Sequence, residues 1–503
     1  MGISRRTSLS TGAKEKKGAV REVPRPPKLV DDLQINLVGR THIGREIYSQ
    51  LLQSIQEGRL EPGRRLPPTR ELARRLKVAR TTVALAYDRL TSEGLLLSRI
   101  GAGTFVKEPR VPATNDANPP ESPVSPKREW VDVPVAFVRT HFANRFEFDF
   151  RTGMPDVSAF PHARWRRLMA RHLHPSRVLS GYGDPAGHPA LRSAIARHIW
   201  LTRGMRVEPE DVTVTNGTQQ ALDLIAKILI DRGDRVAVED PGYPPAWRLF
   251  RAVGAHVEPV ALDQEGLSVS ALPSDTRLVY VTPSHQFPIG VAMSLARRSA
   301  LLAWAQQADA VVVEDDYDGE FRFGDRPFEP LRALDRTGRV IYVGSFSKSA
   351  LPSLRIGFLI TPASLTEAIR AAKYLSDWHT MWAVQGALAD FIEEGWYARH
   401  VRRMRREYET RHSAVISGLN THFRGLLKLA PSAVGLHVCA FATELSPADL
   451  SSAVAGAIDV GVDELARYSA GKPVAGLLFG YGAIAADRID EGLRRLRHSF
   501  DER

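Results

Sequence analysis

Between Thr41 and Gly58 the apolar positions fall at helical spacing: Ile47, Leu51, Leu52 and Ile55 make one stripe of "REIYSQLLQSIQEG", and Gly58 stops it. Two more helices are predicted in "TRELARRL", which Thr69 can cap, and in "VARTTVALAYDRLTSEG", where Val83, Ala86, Tyr87 and Leu90 point inward and Gly94 ends the run. The period then changes, because "LLLSRIGAGTFV" reads as strand, Gly-Ala-Gly turn, strand. Two short helices joined by a tight turn and followed by a small hairpin make a winged helix-turn-helix. In that geometry the amino-terminal turn of the second motif helix points into the DNA major groove, so Arg80, Thr81 and Thr82, which open it, are expected to meet bases or phosphates.

Beyond "EPRVPATNDANPPESPVSPKREWVDVPV", whose prolines and small polar residues predict an extended linker, the pattern becomes an alternation of apolar runs with helical stretches or glycine-rich turns. The runs are "DVTVT", "RVAVED", "RLVYVTP", "AVVVEDD" and "VIYVGS". Such alternation predicts an α/β domain, a mostly parallel sheet flanked by helices. The expected organisation is a basic disordered tail over residues 1–34, a winged helix-turn-helix over 35–107, a proline-rich linker over 108–146 and an α/β domain over 147–503.

Charge changes the picture more than composition does. The first 110 residues hold 22 Lys and Arg against 11 Asp and Glu, whereas the remainder holds 46 of each. All the excess positive charge therefore sits at one end, the footprint of a polyanion-binding module joined to a neutral body. The 503 residues exceed one ordinary domain, and 43% hydrophobic content supports a large buried core. A single cysteine, Cys439, excludes a disulfide framework and a Cys-rich zinc site, and no metal site is expected. No run approaches the roughly 18 apolar residues of a membrane span, since even "ALDLIAKILI" is broken by Asp223 and Lys227. A cytoplasmic protein without membrane contact is expected.

Chemistry-bearing residues cluster at the predicted carboxyl ends of the strands, where open α/β sheets bind ligands. "TNGTQQALDLIAKIL" puts Gly217, Thr218 and Gln219 at a helix start, where free N–H groups favour a phosphate. "VVVEDDYDGEF" sets Asp315 and Tyr317 at a strand end, and "SFSKSALPSLR" offers the Ser345 and Ser347 hydroxyls, an amine and a guanidinium within eleven residues. A pyridine ring kept protonated wants a carboxylate, its phenolic oxygen a donor, its phosphate hydroxyls and an arginine, and its aldehyde a lysine able to form a Schiff base. Pyridoxal 5′-phosphate meets every requirement.

The amino-terminal stretch "IYSQLLQSIQEGRLEPGRRLPPTRELARRLKVARTTVALAYDRLTSEGLLLSRIGAGTFV" resembles the winged helix-turn-helix of GntR-type bacterial regulators. That resemblance implies operator contacts by Arg70, Arg80, Thr81, Thr82 and a wing glycine, Gly101 or Gly103; a further arginine of some members is Ala84 here. From Phe148 to Phe500 the chain resembles fold type I aminotransferases. By that resemblance Lys348 would form the internal aldimine, Asp315 would pair with the pyridinium and Tyr317 would bond the ring hydroxyl. Ser345, Ser347, Arg355, Gly217 and Thr218 would hold the phosphate, Tyr243 would stack on the ring, and Tyr182 would reach a neighbouring subunit's phosphate.

The two halves together resemble the MocR/GabR family, in which the aminotransferase-like domain is an effector sensor; a head-to-tail homodimer reading two half-sites of double-stranded operator DNA is implied. In "VTPSHQFPIG" Phe287 stands where enzymes of the fold usually carry an asparagine, with His285 and Gln286 as the nearest polar substitutes. Two carboxylate-binding arginines are also missing: the stretch between Arg467 and Arg488 holds only Lys472, and Pro245 follows the tyrosine of "PGY" by two residues. A guanidinium fork is what binds a carboxylate bidentately. The expected signal is therefore pyridoxal phosphate itself, or an amine or unusual amino acid held otherwise by Arg322, Arg248 or Lys472, and not GABA. The alternatives are a working aminotransferase carrying a DNA-binding appendage, and a DNA-binding protein whose large domain only dimerises.

Overall fold

The computed structural model describes residues 35–37, 42–107, 125–131, 133–134, 146–178, 180–323, 329–432 and 435–501. The expected tail over 1–34 and most of the expected linker lie outside the described residues. Two compact units emerge, Met1–Val124 and Ser125–Arg503.

The first unit contains α1 (Ile43–Gln56), α2 (Thr69–Leu76), α3 (Arg80–Ser92) and the antiparallel pair β1 (Leu96–Arg99) and β2 (Gly103–Val106). Ile47, Leu51, Ile55, Val83, Ala86, Tyr87 and Leu90 are all buried in one cluster with Leu72, Leu96 and Val106, whereas Leu52 is only half-buried. Each fully buried leucine contributes about 1.5–3 kcal/mol by leaving water, which is what holds so small a module together. One capping expectation is corrected. Pro68, extended at φ −55° and ψ 143°, precedes the helix and Thr69 is its first residue, so the Thr69 hydroxyl instead accepts from Arg80 Nε at 3.4 Å.

In the second unit an eight-stranded sheet is built from β3 (Val212–Thr215), β4 (Arg235–Asp240), β5 (His256–Asp263), β6 (Gly266–Leu267), β7 (Thr276–Val281), β8 (Val311–Asp316), β9 (Val340–Ser345) and β10 (Gly357–Ile360). Their order is β3-β10-β9-β8-β7-β4-β5-β6, with β9, β8, β7, β4 and β5 parallel and β10 antiparallel to both its neighbours. The apolar runs are continuous because both faces are covered. Along β7, Leu278 and Tyr280 pack with Leu222 and Phe250 of the helices α4 (Gly217–Leu229) and α5 (Pro244–Ala252), while Val279 and Val281 pack with Leu301 and Ala305 of α6 (Leu295–Gln307). A second, antiparallel sheet carries β11 (Leu427–Leu429), β12 (His437–Ala442), β13 (Asp463–Glu464) and β14 (Gly476–Gly480) in the order β11-β12-β14-β13. Among the described residues no helix is long and apolar enough to cross a membrane.

Candidate functional site

The carboxyl ends of β3, β4, β7, β8 and β9, with the loops leaving them, carry Gly217, Tyr243, His285, Asp315 to Asp318, and Lys348. The parallel arrangement puts all these ends on one edge, so residues separated by over a hundred positions meet there.

Lys348 lies three residues past β9, and its Nζ donates to the Gly153 carbonyl at 2.7 Å. Burial, with a contribution from the Arg355 guanidinium, brings its amine down to about 8, although Asp318 and Asp315 pull the other way. An amine so placed gives up its proton far more readily than an ordinary lysine, as a nucleophile toward a carbonyl must. Gly153 is an addition to the expected set: φ is +81°, and a Cβ there would stand 3.1 Å from Lys348 Nζ. The Gly-x-Pro of "RTGMPD" is the signal that could have found it, though such turns are common.

Neighbouring residues of a strand face opposite ways, and this separates the two aspartates ending β8. Asp316 accepts from Arg203 Nε at 2.7 Å and from the Tyr342 hydroxyl at 2.5 Å. Asp315, on the opposite face, accepts from the Tyr280 hydroxyl through Oδ2 at 2.8 Å, while its buried Oδ1 has no hydrogen-bond partner. Burial pushes its carboxyl up to about 7. A buried carboxylate oxygen left unpaired costs free energy unless a cationic donor meets it, and a protonated ring nitrogen is such a donor. Tyr280 carries no sequence signal of its own, because its run reads as plain buried strand.

At the other end of the site, Gly217 opens α4 at φ +74°, where a Cβ would come within 2.8 Å of Arg355 Nη2. Arg355 is itself left-handed, at φ 52°, and donates through Nη2 to the Asn216 carbonyl at 3.1 Å. Ser345 Oγ accepts from the Ser347 amide at 3.1 Å, which tightens the turn before Lys348. The start of α4 and the Arg355 guanidinium thus lie together, a donor-rich corner of the kind that favours an anion. Thr218 lies in the first turn of α4 and is half-buried.

Tyr243 and Phe287 meet edge to face, their centroids 5.8 Å apart, and Phe287 also contacts Tyr317, His437 and Tyr468. Phe287 thus turns the asparagine position into part of an aromatic wall. Of the polar substitutes, Gln286 donates to Glu239, to the Pro241 carbonyl and to the Phe287 carbonyl, whereas His285 Nδ1 lies 2.8 Å from the Tyr317 hydroxyl and 2.8 Å from Asp318 Oδ2. His285, Asp318 and His437 bring ligand-type atoms within 4.8 Å of one another. Tyr182 is 76% exposed and stacks on Trp378, outside this group. Arg248 lies over its neighbour Trp247, and Arg322 lines a cavity with Arg203, Asp316 and Glu320; Lys472 is exposed in the loop before β14.

In the first unit Arg70, Arg80 and Thr81 are exposed and Thr82 is half-buried at the start of α3, with Gly101 and Gly103 at φ +76° and +112° in the wing turn. A Cβ on Gly103 would lie 2.7 Å from Arg65 Nε, so the wing packs directly on Arg65, a residue that no motif singles out in the sequence.

Residues 43–106 match the bacterial regulatory proteins, gntR family, and residues 149–439 match aminotransferase class I and II. The probable rhizopine catabolism regulatory protein MocR of Rhizobium meliloti is 36% identical over 91% of this chain and 93% of its own. The pyridoxine biosynthesis transcriptional regulator PdxR of Corynebacterium glutamicum is 32% identical over 89% of this chain and 94% of its own. LysN, an α-aminoadipate aminotransferase of Thermus thermophilus solved with N-(5′-phosphopyridoxyl)-L-leucine, is 28% identical with a TM-score of 0.67, covering 74% of this chain and 96% of that one. Similarity that runs over 91% of the chain with a regulator, and over 74% of it with an enzyme, decides the affiliation: the chain belongs to the MocR-type helix-turn-helix transcriptional regulators, in which a gntR-family DNA-binding module is joined to an aminotransferase class I and II domain.

Proposed function

We propose that this regulator binds pyridoxal 5′-phosphate in its second unit and uses the loaded site to sense an amine or amino-acid-like effector, or the cofactor itself, and so to set its affinity for a double-stranded operator. The observation that carries this reading is the unpaired Asp315 Oδ1 buried in the same site as an amine lowered to about 8, with the Gly217 and Arg355 cradle beyond. Asp315 would meet the ring nitrogen, Lys348 the aldehyde, Tyr317 the ring hydroxyl and Tyr243 the ring face. Ser345, Ser347, Arg355, Gly217 and Thr218 would take the phosphate. When bound, the cofactor supplies an aldehyde conjugated to an electron-withdrawing ring. Exposed Tyr182 fits a role toward a partner's site in a head-to-tail homodimer, and two DNA modules per dimer would read two half-sites through Arg70, Arg80, Thr81, Thr82 and the Gly101–Gly103 wing. A cytoplasmic location follows from work on DNA.

The completeness of the Lys348 site favours one second reading, slow transamination. Purified protein should show the visible absorption of lysine-bound cofactor, and adding pyridoxal phosphate should change operator affinity. No visible band would defeat the cofactor reading, whereas full turnover with common amino donors would favour an enzyme.

A further inference from the structure

The buried pair behind Tyr317 has no part in the roles given so far. His285 and Asp318 are 1% and 2% exposed, and two glycines make room for them. A Cβ on Gly435, at φ +89°, would fall 2.2 Å from His285 Cε1 and 2.4 Å from Asp318 Oδ2, and one on Gly290 would lie 3.3 Å from His285 Nε2. The cage is itself fastened: Tyr481 donates to the Gly435 carbonyl at 2.8 Å, and the Gly435 amide donates to the Phe321 carbonyl at 2.7 Å.

Within the cage one ring nitrogen serves two oxygens. His285 Nδ1 lies 2.8 Å from Asp318 Oδ2 and 2.8 Å from the Tyr317 oxygen. An sp² ring nitrogen has a single in-plane position, which holds either one hydrogen or one lone pair. With Asp318 as a carboxylate, a lone pair there would face it lone pair to lone pair; burial raises the Asp318 carboxyl, and His285, by charge and hydrogen bond, and the Lys348 charge oppose that rise. A hydrogen there can be shared by both oxygens, Asp318 accepting as a carboxylate and Tyr317 accepting through its oxygen. Under that arrangement the hydroxyl hydrogen of Tyr317 cannot point back at His285 and must find an acceptor elsewhere.

We infer that the Asp318–His285 pair is a positioning device that turns the Tyr317 hydroxyl hydrogen into the pocket, toward the phenolic oxygen of the bound pyridine ring, the place left without an amide donor by Phe287. This rests on the cofactor reading above. Burial keeps Tyr317 protonated, since it pushes the phenol well above its ordinary value. The other titratable groups around the pair do not compete with it, because His437 on β12 is driven by burial down to about 3 and is neutral, His412 is lowered, and Tyr481 is raised. Lys348, whose charge helps to hold Asp318 ionised, and Asp315, whose charge helps to keep Tyr317 protonated, are the remaining charged neighbours.

The test is a double-mutant cycle in the full-length protein, loaded with pyridoxal phosphate and read by absorbance. Tyr317→Phe and His285→Ala should each weaken cofactor binding roughly fivefold to tenfold, the loss of one hydrogen bond. Each should also raise the midpoint pH of the visible band, because a phenolic oxygen without its donor holds the neighbouring proton more tightly. In the Tyr317→Phe background, His285→Ala should change either quantity by less than about twofold. His285→Asn, whose amide N–H can stand near Nδ1, should recover most of the loss. Equal effects of His285→Ala with and without the Tyr317 hydroxyl would overturn the inference. If circular dichroism shows His285→Ala unfolded, Asp318→Asn replaces it in the cycle under the same criterion. Lys348→Met separates the two readings: a wild-type-like visible band in that variant would mean that the cofactor assignment, not the Tyr317 relay, is at fault.

Discussion

Replacing Gly217 by alanine tests the phosphate end of the site and can be given a magnitude from two independent terms. The first is conformational: φ at Gly217 is +74°, a region that costs a residue with a Cβ about 1–2 kcal/mol. The second is local, because the new methyl would stand 2.8 Å from Arg355 Nη2 and displace the guanidinium from its place beside the helix N-terminus. Losing one charge-assisted hydrogen bond to a phosphate costs about 1.5–3 kcal/mol, and about 1.36 kcal/mol is tenfold, so binding should weaken by roughly tenfold or more. Gly204→Ala is the control, for Gly204 is left-handed at φ +63° and has nothing within 4 Å of a Cβ. Denaturant unfolding of the cofactor-free proteins should show both variants destabilised to a similar degree. Absorbance titration with pyridoxal phosphate should find only Gly217→Ala impaired. Cofactor affinity within about twofold of wild type in Gly217→Ala would refute the cradle, because no strained backbone position beside a bound phosphate can be so tolerant.

Lys348→Ala should abolish the visible band while leaving circular dichroism and non-specific DNA binding intact; a wild-type-like spectrum would contradict the role given to this amine. Operator affinity should fall steeply with salt as phosphates are neutralised and counterions released, and Arg80→Ala should lose about 1–3 kcal/mol of specific binding if it reads a base edge, both measurable by fluorescence anisotropy. The lowered Lys348 amine makes stability depend on pH with a definite sign. Between about 8 and its ordinary value of 10.5 the unfolded lysine keeps a proton that the folded one has lost, so the cofactor-free wild type should gain stability relative to Lys348→Met as pH rises through that window. Guanidinium titrations at the two ends of the range check it. Titration of the loaded protein with GABA should leave the visible band unconverted, since neither expected carboxylate fork is present and Lys472, a point charge, is the remaining cation in the loop before β14.

The elements of the first unit and five strands of the large sheet, β3, β4, β7, β8 and β9, are legible in the sequence because their signals are local. Period 3.6 in α1 and α3, a change to period 2 at the wing and apolar runs ended by Asp, Gly or Pro need no distant contact to be read. β10 is hidden within "RIGFLI", which reads only as the tail of the lysine motif, because a four-residue strand that runs antiparallel in an otherwise parallel neighbourhood has no period of its own. β5 is hidden as well: "HVEPVALD" carries a charge, a proline and exposed positions, as strands near a sheet edge do.

The same division runs through the site. The candidates Lys348, Asp315, Tyr317, Arg355 and Gly217 are read from the sequence, since each is a residue type that one functional group of the proposed cofactor would demand, set at or shortly after the end of an apolar run. Which oxygen of Asp315 stays unpaired, how far the Lys348 amine falls, and that Gly153 receives its hydrogen bond were decided by the tertiary structure, because each depends on burial and on partners up to 195 positions away. His285 makes the point most plainly. In sequence it is a polar neighbour of a missing asparagine; only folding brings Asp318 to its Nδ1 and two glycines around its ring, and so turns a substitution into a device for aiming a hydroxyl.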